Sequence, residues 1–253
     1  MIEVLGADKL MSGRMDLSIV IPVHRDFASL LALLDDLASM DAEVVVVEAV
    51  SSAQSTLEAP GHLNLRDQCR QLVLQQGGQW LSSQASRGAQ IALGCHKANH
   101  SWLWVLHADT RLIVSVTAYF QALCAGGQTG WGRFDICFRE VHQRLELLAL
   151  FMNWRSRWTQ ICTGDQGMFF HRHCLQQIGG FPSQPLMEDI EVSKLLKEKG
   201  GFVFHGASIR LQTSGRRWLK NGWLKTILQM WQFRLQYYFG KPAQALYDQY
   251  YKR

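Results

Sequence analysis

The sequence contains no run of about 18 uncharged apolar residues, the length that a membrane-spanning helix requires. Its six cysteines, at positions 69, 95, 124, 137, 162 and 174, include no CxxC pair and no regular spacing. That argues against a disulfide framework and a zinc cluster, and suits reduced, buried thiols in a cytoplasm. No linker, low-complexity tract or internal repeat interrupts the 253 residues, so one domain is the economical expectation. No GxGxxG turn follows the first apolar strand, which disfavours a nicotinamide-dependent dehydrogenase. Residues 1–15 lack the apolar core and cleavage site of a signal peptide and read as a flexible leader.

An apolar fraction of 47% with 19% charged residues is that of a folded globular chain, not a disordered one. The net charge of +5 is unevenly placed. From Arg210 onward there are nine basic residues and one acid, Asp248. Such a tail suits an anionic partner, phosphate groups or a membrane surface in preference to nucleic acid.

Leu17–Pro22 (LSIVIP) and Glu43–Glu48 (EVVVVE) are continuous apolar runs, the pattern of strands buried on both faces. Trp80–Ser82 and Trp102–Leu106 read as two more strands. Helical spacing occupies the stretches between them, at 27–37, 63–76 and 87–97. Strands alternating with helices predict a parallel sheet covered on both faces, whose ligands sit at the carboxyl ends of the strands. Further on, Gly130–Phe138 reads as a longer, antiparallel-type strand, Leu145–Trp158 as a helix and Gly167–His171 as a strand. Ile190–Lys199 reads as a helix and Phe202–His205 as a last strand.

Each apolar strand runs directly into polar residues: Pro22 into His24 and Asp26, Val47 into Glu48, Leu106 into His107-Ala108-Asp109-Thr110. One such acid is readily explained as a helix cap. Three on one edge of a sheet favour a binding site, because a carboxylate there needs a cation or donors.

In this order and spacing, SIVIPVHRD, EVVVVE, RGAQIALG, HADT, GDQG, MED and the late RRW resemble the family 2 glycosyltransferases. The resemblance runs from Leu17 to about Trp218 and is nearest a small bacterial subgroup with HAD in place of DXD. It implies the nucleotide-diphospho-sugar transferase (GT-A) fold over residues 16–212, with 213–253 as a basic, amphipathic helical extension. It also implies a nucleotide-sugar donor and a divalent metal, Mn2+ or Mg2+, which would offset charge on the departing diphosphate. Asp109 then stands at the last acid of the metal motif, with His107 in place of the first. Pro22, His24, Asp26 and Glu48 fall at the nucleotide positions, and Arg87 and Gln90 face the donor. Asp165 and Gln166 line the acceptor or sugar side, and Arg216, Arg217 and Trp218 match the end of a diphosphate-facing motif. Asp189 is the expected base of an inverting transfer, with Glu188 supporting it; two acids opening a helix also suit its positive end.

The acceptor is not named by the sequence. Leu224, Ile227, Leu228, Trp231, Leu235 and Tyr238 form one apolar face, expected to pack on the domain or a partner copy. A lipid-linked acceptor and peripheral contact with the inner face of a membrane are the alternative. Two other functions stay open: a catalytically silent nucleotide-sugar binding module, and a sugar-1-phosphate nucleotidyltransferase. The absence of glycine in VHRDFASL disfavours the latter.

Overall fold

The computed structural model describes residues 14–50 and 60–251; the leader expected over residues 1–15 lies outside them except for its last two positions. In chain order the elements are β1 (Leu17–Val23), α1 (Phe27–Leu37), β2 (Glu43–Val50), α2 (Pro60–Gln75), β3 (Gln79–Gln84), α3 (Arg87–Lys97), β4 (Trp102–Val105) and α4 (Thr117–Ala125). They continue with β5 (Gly130–Phe138), α5 (Gln143–Thr159), a 3₁₀ turn (Gly164–Gln166), β6 (Phe169–His171), α6 (Arg172–Gln177) and α7 (Glu188–Lys199). The last are β7 (Val203–Thr213), α8 (Arg216–Asn221), α9 (Trp223–Tyr238) and α10 (Ala243–Tyr251).

Seven strands form one sheet in the order β3-β2-β1-β4-β6-β5-β7. β3, β2, β1 and β4 are mutually parallel, β6 runs antiparallel to β4 and β5, and β7 is parallel to β5. The pleat divides each apolar run between two layers. Ile19, Ile21, Val44 and Val46 share a core with Phe27, Leu30, Cys69 and Val73 of α1 and α2. Val20, Val45 and Val47 share the opposite core with Ile91 and Cys95 of α3. Close approach of α3 to the sheet depends on Gly94, where a Cβ would collide with Val20 Cγ1.

The amino ends of the parallel strands are tied by one buried acid. Glu43 accepts hydrogen bonds from Ser18 Oγ (2.5 Å), Gln79 Nε2 (2.8 Å), the Asn99 N–H (2.8 Å) and Asn99 Nδ2 (2.5 Å). These partners sit at or just before the starts of β1, β3 and β4, so one carboxylate holds four strands in register.

The second half departs from the sequence expectations. β5 pairs antiparallel with β6 but parallel with β7, with a register shift between Phe134 and Asp135. The last strand runs to Thr213, with Ala207, Leu211 and Thr213 buried while Ser208 and Arg210 are exposed, a half-buried pattern. Helix α4 escaped notice because Phe120 alone is buried on it. α9 packs through Thr226 and Phe233, with Met230 and Tyr237 against Met187 and Leu246. The face expected to pack is instead mostly open: Leu224, Leu228, Trp231, Leu235 and Tyr238 are between 55% and 83% exposed. The helix is apolar around most of its girth, and periodicity does not tell which side is covered. Among the described residues, no helix is long and apolar enough to cross a membrane.

Burial raises the Glu43 carboxyl, but its hydrogen bonds to Ser18, Asn99 and Gln79 outweigh burial and bring it down to about 2. A depressed acid contributes stability above its unfolded value, near 4.5, and loses it as pH falls through 2. Glu43→Ala is therefore expected to cost about 2–3 kcal/mol at pH 7 in urea unfolding. The gap to the native protein should close as the pH is lowered from about 4.5 towards 2.

Candidate functional site

At the carboxyl end of β1, Pro22 is half-buried while His24 and Asp26 are exposed. Asp26 caps α1 by accepting the Ser29 N–H at 3.3 Å. Next door, Glu48 is already satisfied. Arg66 Nε and Nη2 reach its two oxygens at 2.6 and 2.8 Å, and Trp80 Nε1 donates at 3.1 Å. Gln90 is buried rather than facing outward, its Nε2 donating to the carbonyls of Val23 (3.0 Å) and Val47 (2.7 Å). It closes the gap where β1 and β2 diverge, a backbone requirement that helical spacing did not reveal.

The other expected residues converge around Arg87, the first residue of α3. Its Nη2 donates to His107 Nε2, and its Nη1 lies 3.1 Å from Glu188 Oε1. Gly164 makes room for this arrangement: a Cβ there would strike the Arg87 guanidinium and come within 2.8 Å of His107 Nε2. On the same turn, Asp165 Oδ1 lies 3.6 Å from His107 Nε2. Asp189 is tied to that turn, its Oδ2 accepting the Gly164 N–H at 2.9 Å and its Oδ1 the Ile190 N–H at 2.8 Å. Segments around 87, 107, 164 and 188 thus close on one point. Met187, just before the acid pair, has a left-handed backbone (φ 62°) and a side chain buried with Phe233 and Leu246. Its packing holds the strained turn from which Glu188 and Asp189 emerge.

Burial pushes the Glu188 carboxyl up, to about 7, against the opposing pull of Arg87; Asp189 adds to the rise. Arg87 itself is held above its ordinary value by Glu188 and then Asp189, which outweigh its own burial. The 3.1 Å contact favours the charged form of both partners. His107 is pushed down to about 3, first by burial and then by Arg87. It is a neutral imidazole that accepts from a cation.

Gln166 does not face the site. It is fully buried, its Oε1 accepting the Thr163 N–H at 3.1 Å and its Nε2 donating to Ser156 Oγ at 2.7 Å. Arg216 is exposed and folds back on Ser214 Oγ at 3.0 Å. The side chain of Arg217 lies outside the described residues. Trp218 does join the site, as part of a cavity wall.

That cavity, about 730 Å³, opens directly in front of Asp165, Glu188 and Asp189. Its walls come from α5, α8, α9 and α10 and are largely apolar, with three arginines set among them: Arg144, Arg155 and Arg234. α5 is positioned by Asn153, whose side chain exchanges two hydrogen bonds with the backbone of Ile136 at 2.9 and 3.0 Å. Neither the cavity nor Arg66 and Arg155 carried a signal in the sequence, since each depends on helices packed from distant segments; Arg234 is one of the basic residues of the tail, but its place in a cavity wall is not legible there.

A divalent cation is the group whose fit can be tested. Among the described residues no three His, Cys, Asp or Glu side chains cluster as a metal cage. Asp109 is half-exposed, and its carboxylate makes no hydrogen bond or ion pair there; only its carbonyl is used, accepting from Arg139 Nη2 at 3.0 Å. One open carboxylate, with diphosphate oxygens and water, meets the demands of Mg2+ or Mn2+. His107 offers less, since Arg87 occupies its Nε2.

No protein-family model matches the chain, and no curated protein matches it in sequence. Solved structures do match. The mannosyltransferase PcManGT from Pyrobaculum calidifontis, in complex with GDP-Man and Mn2+, aligns with a TM-score of 0.59 and 15% identity over 80% of this chain and 58% of its own. TarS from S. aureus aligns at 0.55 and 14% identity, over 78% of this chain and 36% of its own. GalNAc-T7 with UDP, GalNAc and Mn2+ aligns at 0.56 and 14% identity, over 81% of this chain and 44% of its own. This chain thus spans less than two thirds of each neighbour's length. The fold is the GT-A fold of nucleotide-sugar transferases.

The crowding at Gly164 makes a prediction. Gly164→Ala should cost about 1–3 kcal/mol in chemical unfolding, the usual range for overpacking. Because the collision is with Arg87, most of that cost should vanish in an Arg87→Ala background, a coupling that a double-mutant cycle measures.

Proposed function

We propose that the protein is a glycosyltransferase that moves a sugar from a nucleoside-diphosphate sugar to an acceptor hydroxyl, with inversion and with the help of a divalent metal. The observation that carries this reading is the position of Asp189 at the floor of a deep cavity, fixed by the Gly164 and Ile190 N–H groups. Its fold is shared with structures that hold nucleotide sugars, or their parts, together with Mn2+.

The donor lies along the carboxyl ends of β1, β2 and β4, where open α/β sheets receive ligands. Pro22, His24 and Asp26 border the nucleotide. Glu48 acts through the Arg66 it holds, and Gln90 through the strand ends it closes. Arg87, pinned between Glu188 and His107, directs a cation at the diphosphate. Asp109 holds the metal, which when bound offsets the negative charge that builds on the leaving diphosphate. Asp189 takes the proton of the acceptor hydroxyl as its oxygen attacks the anomeric carbon from the face opposite the diphosphate. Glu188 is the positioning partner that keeps Arg87 in place. Residues 213–253 belong to the same domain and complete the acceptor side.

Asp189→Asn should lower turnover by about 10²–10⁴-fold, the usual worth of a general base, and leave donor affinity nearly unchanged in calorimetry. Wild-type turnover in that variant would remove Asp189 from the role. Uridine, guanosine, cytidine and thymidine diphosphates, tested in turn with Mn2+, should include at least one that raises the unfolding temperature. Chelation should abolish that rise, and Asp109→Asn should weaken its metal-dependent part. Hydrolysis of the matching nucleotide sugar separates an enzyme from a silent binding module.

A further inference from the structure

The cavity in front of Asp189 is an unusual place to put arginines. Arg155 is half-buried on α5, and its Nη2, shielded from solvent, has no hydrogen-bond partner. Arg234 reaches the same space from α9 and makes no hydrogen bond or ion pair among the described residues. Burial first, and then the neighbouring Arg234, push Arg155 down to about 10; Arg234 is lowered chiefly by burial. Arg144 stands at the rim over the ring of Trp223, 5.6 Å from its centroid. Three guanidinium groups thus surround an apolar space without carboxylates of their own, apart from the acids at the floor. Half-buried charge of one sign gathered beside apolar surface is costly unless a ligand of the other sign completes it.

Most of the rest of the wall is apolar, with Met152, Trp218, Ile227 and Phe233 among its residues. A free sugar or a polar peptide would find few hydrogen-bond partners there. At the mouth the apolar surface continues onto the outside of the molecule. Leu147, Phe151 and Trp231 line the cavity and are 68%, 42% and 58% exposed. Beyond them, Trp154 and Trp158 extend along α5 and Leu235 along α9, all more than half exposed. Two helices with bare apolar flanks therefore frame one opening that leads to the arginines and then to Asp189.

We infer that the acceptor is a membrane lipid whose headgroup carries both an anionic phosphate and a free hydroxyl. This rests on the transferase reading above and adds the class of acceptor. The phosphate sits among Arg144, Arg155 and Arg234, and the apolar chain leaves between α5 and α9 over Leu147, Phe151 and Trp231. The headgroup hydroxyl reaches Asp189. The new bond joins that oxygen to the anomeric carbon, and the bond from that carbon to the diphosphate oxygen breaks. The proton passes to Asp189 and the electron pair leaves on the nucleoside diphosphate, so the step balances.

The test uses the full chain with phosphatidylcholine vesicles, with and without phosphatidylglycerol, which has a phosphate and free hydroxyls in its headgroup. Sedimentation should show binding that depends on phosphatidylglycerol. Arg155→Gln or Arg234→Gln should each weaken it by about ten-fold, as loss of a charge-assisted contact would. Lys220→Gln, outside the cavity, should leave it nearly unchanged. Trp231→Ser, at an exposed site that folding does not need, should weaken binding as well and so guards against misfolding of the arginine variants. Soluble glycerol 1-phosphate and inorganic phosphate should not compete at comparable concentration. Equal loss in Lys220→Gln and Arg155→Gln would mean surface attraction alone and would overturn the inference, as would full competition by glycerol 1-phosphate. If vesicles fail to bind while a nucleoside diphosphate with Mn2+ still raises the unfolding temperature, the lipid falls and the transferase stands. If vesicles bind but no nucleotide does, the transferase reading fails instead.

Discussion

Arg87 is a half-buried cation, its side chain one third exposed, set against a nearly fully buried acid, Glu188. Its charge is met by Glu188 on α7, its second amino group by His107 at the end of β4, and the space it fills is left by Gly164 on the 3₁₀ turn. Each partner comes from a different part of the chain. An ion pair with one buried partner contributes little net stability, because desolvation of that partner, Glu188, consumes most of the Coulomb energy. Its effect is to make alternatives worse: if α7 or the turn shifts, a charge is left buried alone. The geometry around Asp189 is thus specified by the penalty for abandoning it. The left-handed Met187 is tolerated for the same reason, since its side chain is locked with Phe233 and Leu246.

The two ends of the sheet treat polar groups differently. At the amino ends, Glu43 gathers hydrogen bonds from several strands, and no oxygen is left for a ligand. At the carboxyl ends the polar groups are only partly used. Glu48 and Gln90 are consumed by the framework, but the Asp109 carboxylate is not, and His24 is exposed. The chain thus combines a stitched base with an open rim, the arrangement expected where one end of a parallel sheet stabilises and the other binds.

What could be read in the sequence followed from the range of the forces involved. LSIVIP and EVVVVE announced buried parallel strands because a strand covered on both faces has no polar side to show. β7 was cut short because its outer half alternates buried and exposed residues, weak in any short window. The acids Glu188 and Asp189 and the pair His107 and Asp165 were legible as motifs, and the structure brings them together with Arg87. Gln90 and Gln166 were misplaced for a shared reason. Their positions near the site were right, but each amide turns inward to a backbone or hydroxyl group that only the packed fold supplies. Arg155 was invisible, and Arg234 was legible only as part of a basic tail, because a solvent-facing arginine and a cavity-lining one look alike in sequence. The covered side of α9 was likewise set by where Met187 and Leu246 happened to lie.

The histidine at position 107 follows from the same electrostatics. An aspartate there would compete with Glu188 for the Arg87 guanidinium and place another negative charge beside Asp165 and Asp189. A neutral imidazole accepts one hydrogen bond from Arg87 without drawing its charge away. Its depressed basicity, caused by burial and by Arg87 itself, keeps it in that form near neutral pH. The positive charge of Arg87 is then shared between Glu188 and whatever anion enters the site. An acid at 107 would give more to a metal and less to Arg87. With histidine in its place, the proposed transferase would leave more of a diphosphate's charge to the guanidinium, with Asp109 as the oxygen ligand offered to a cation.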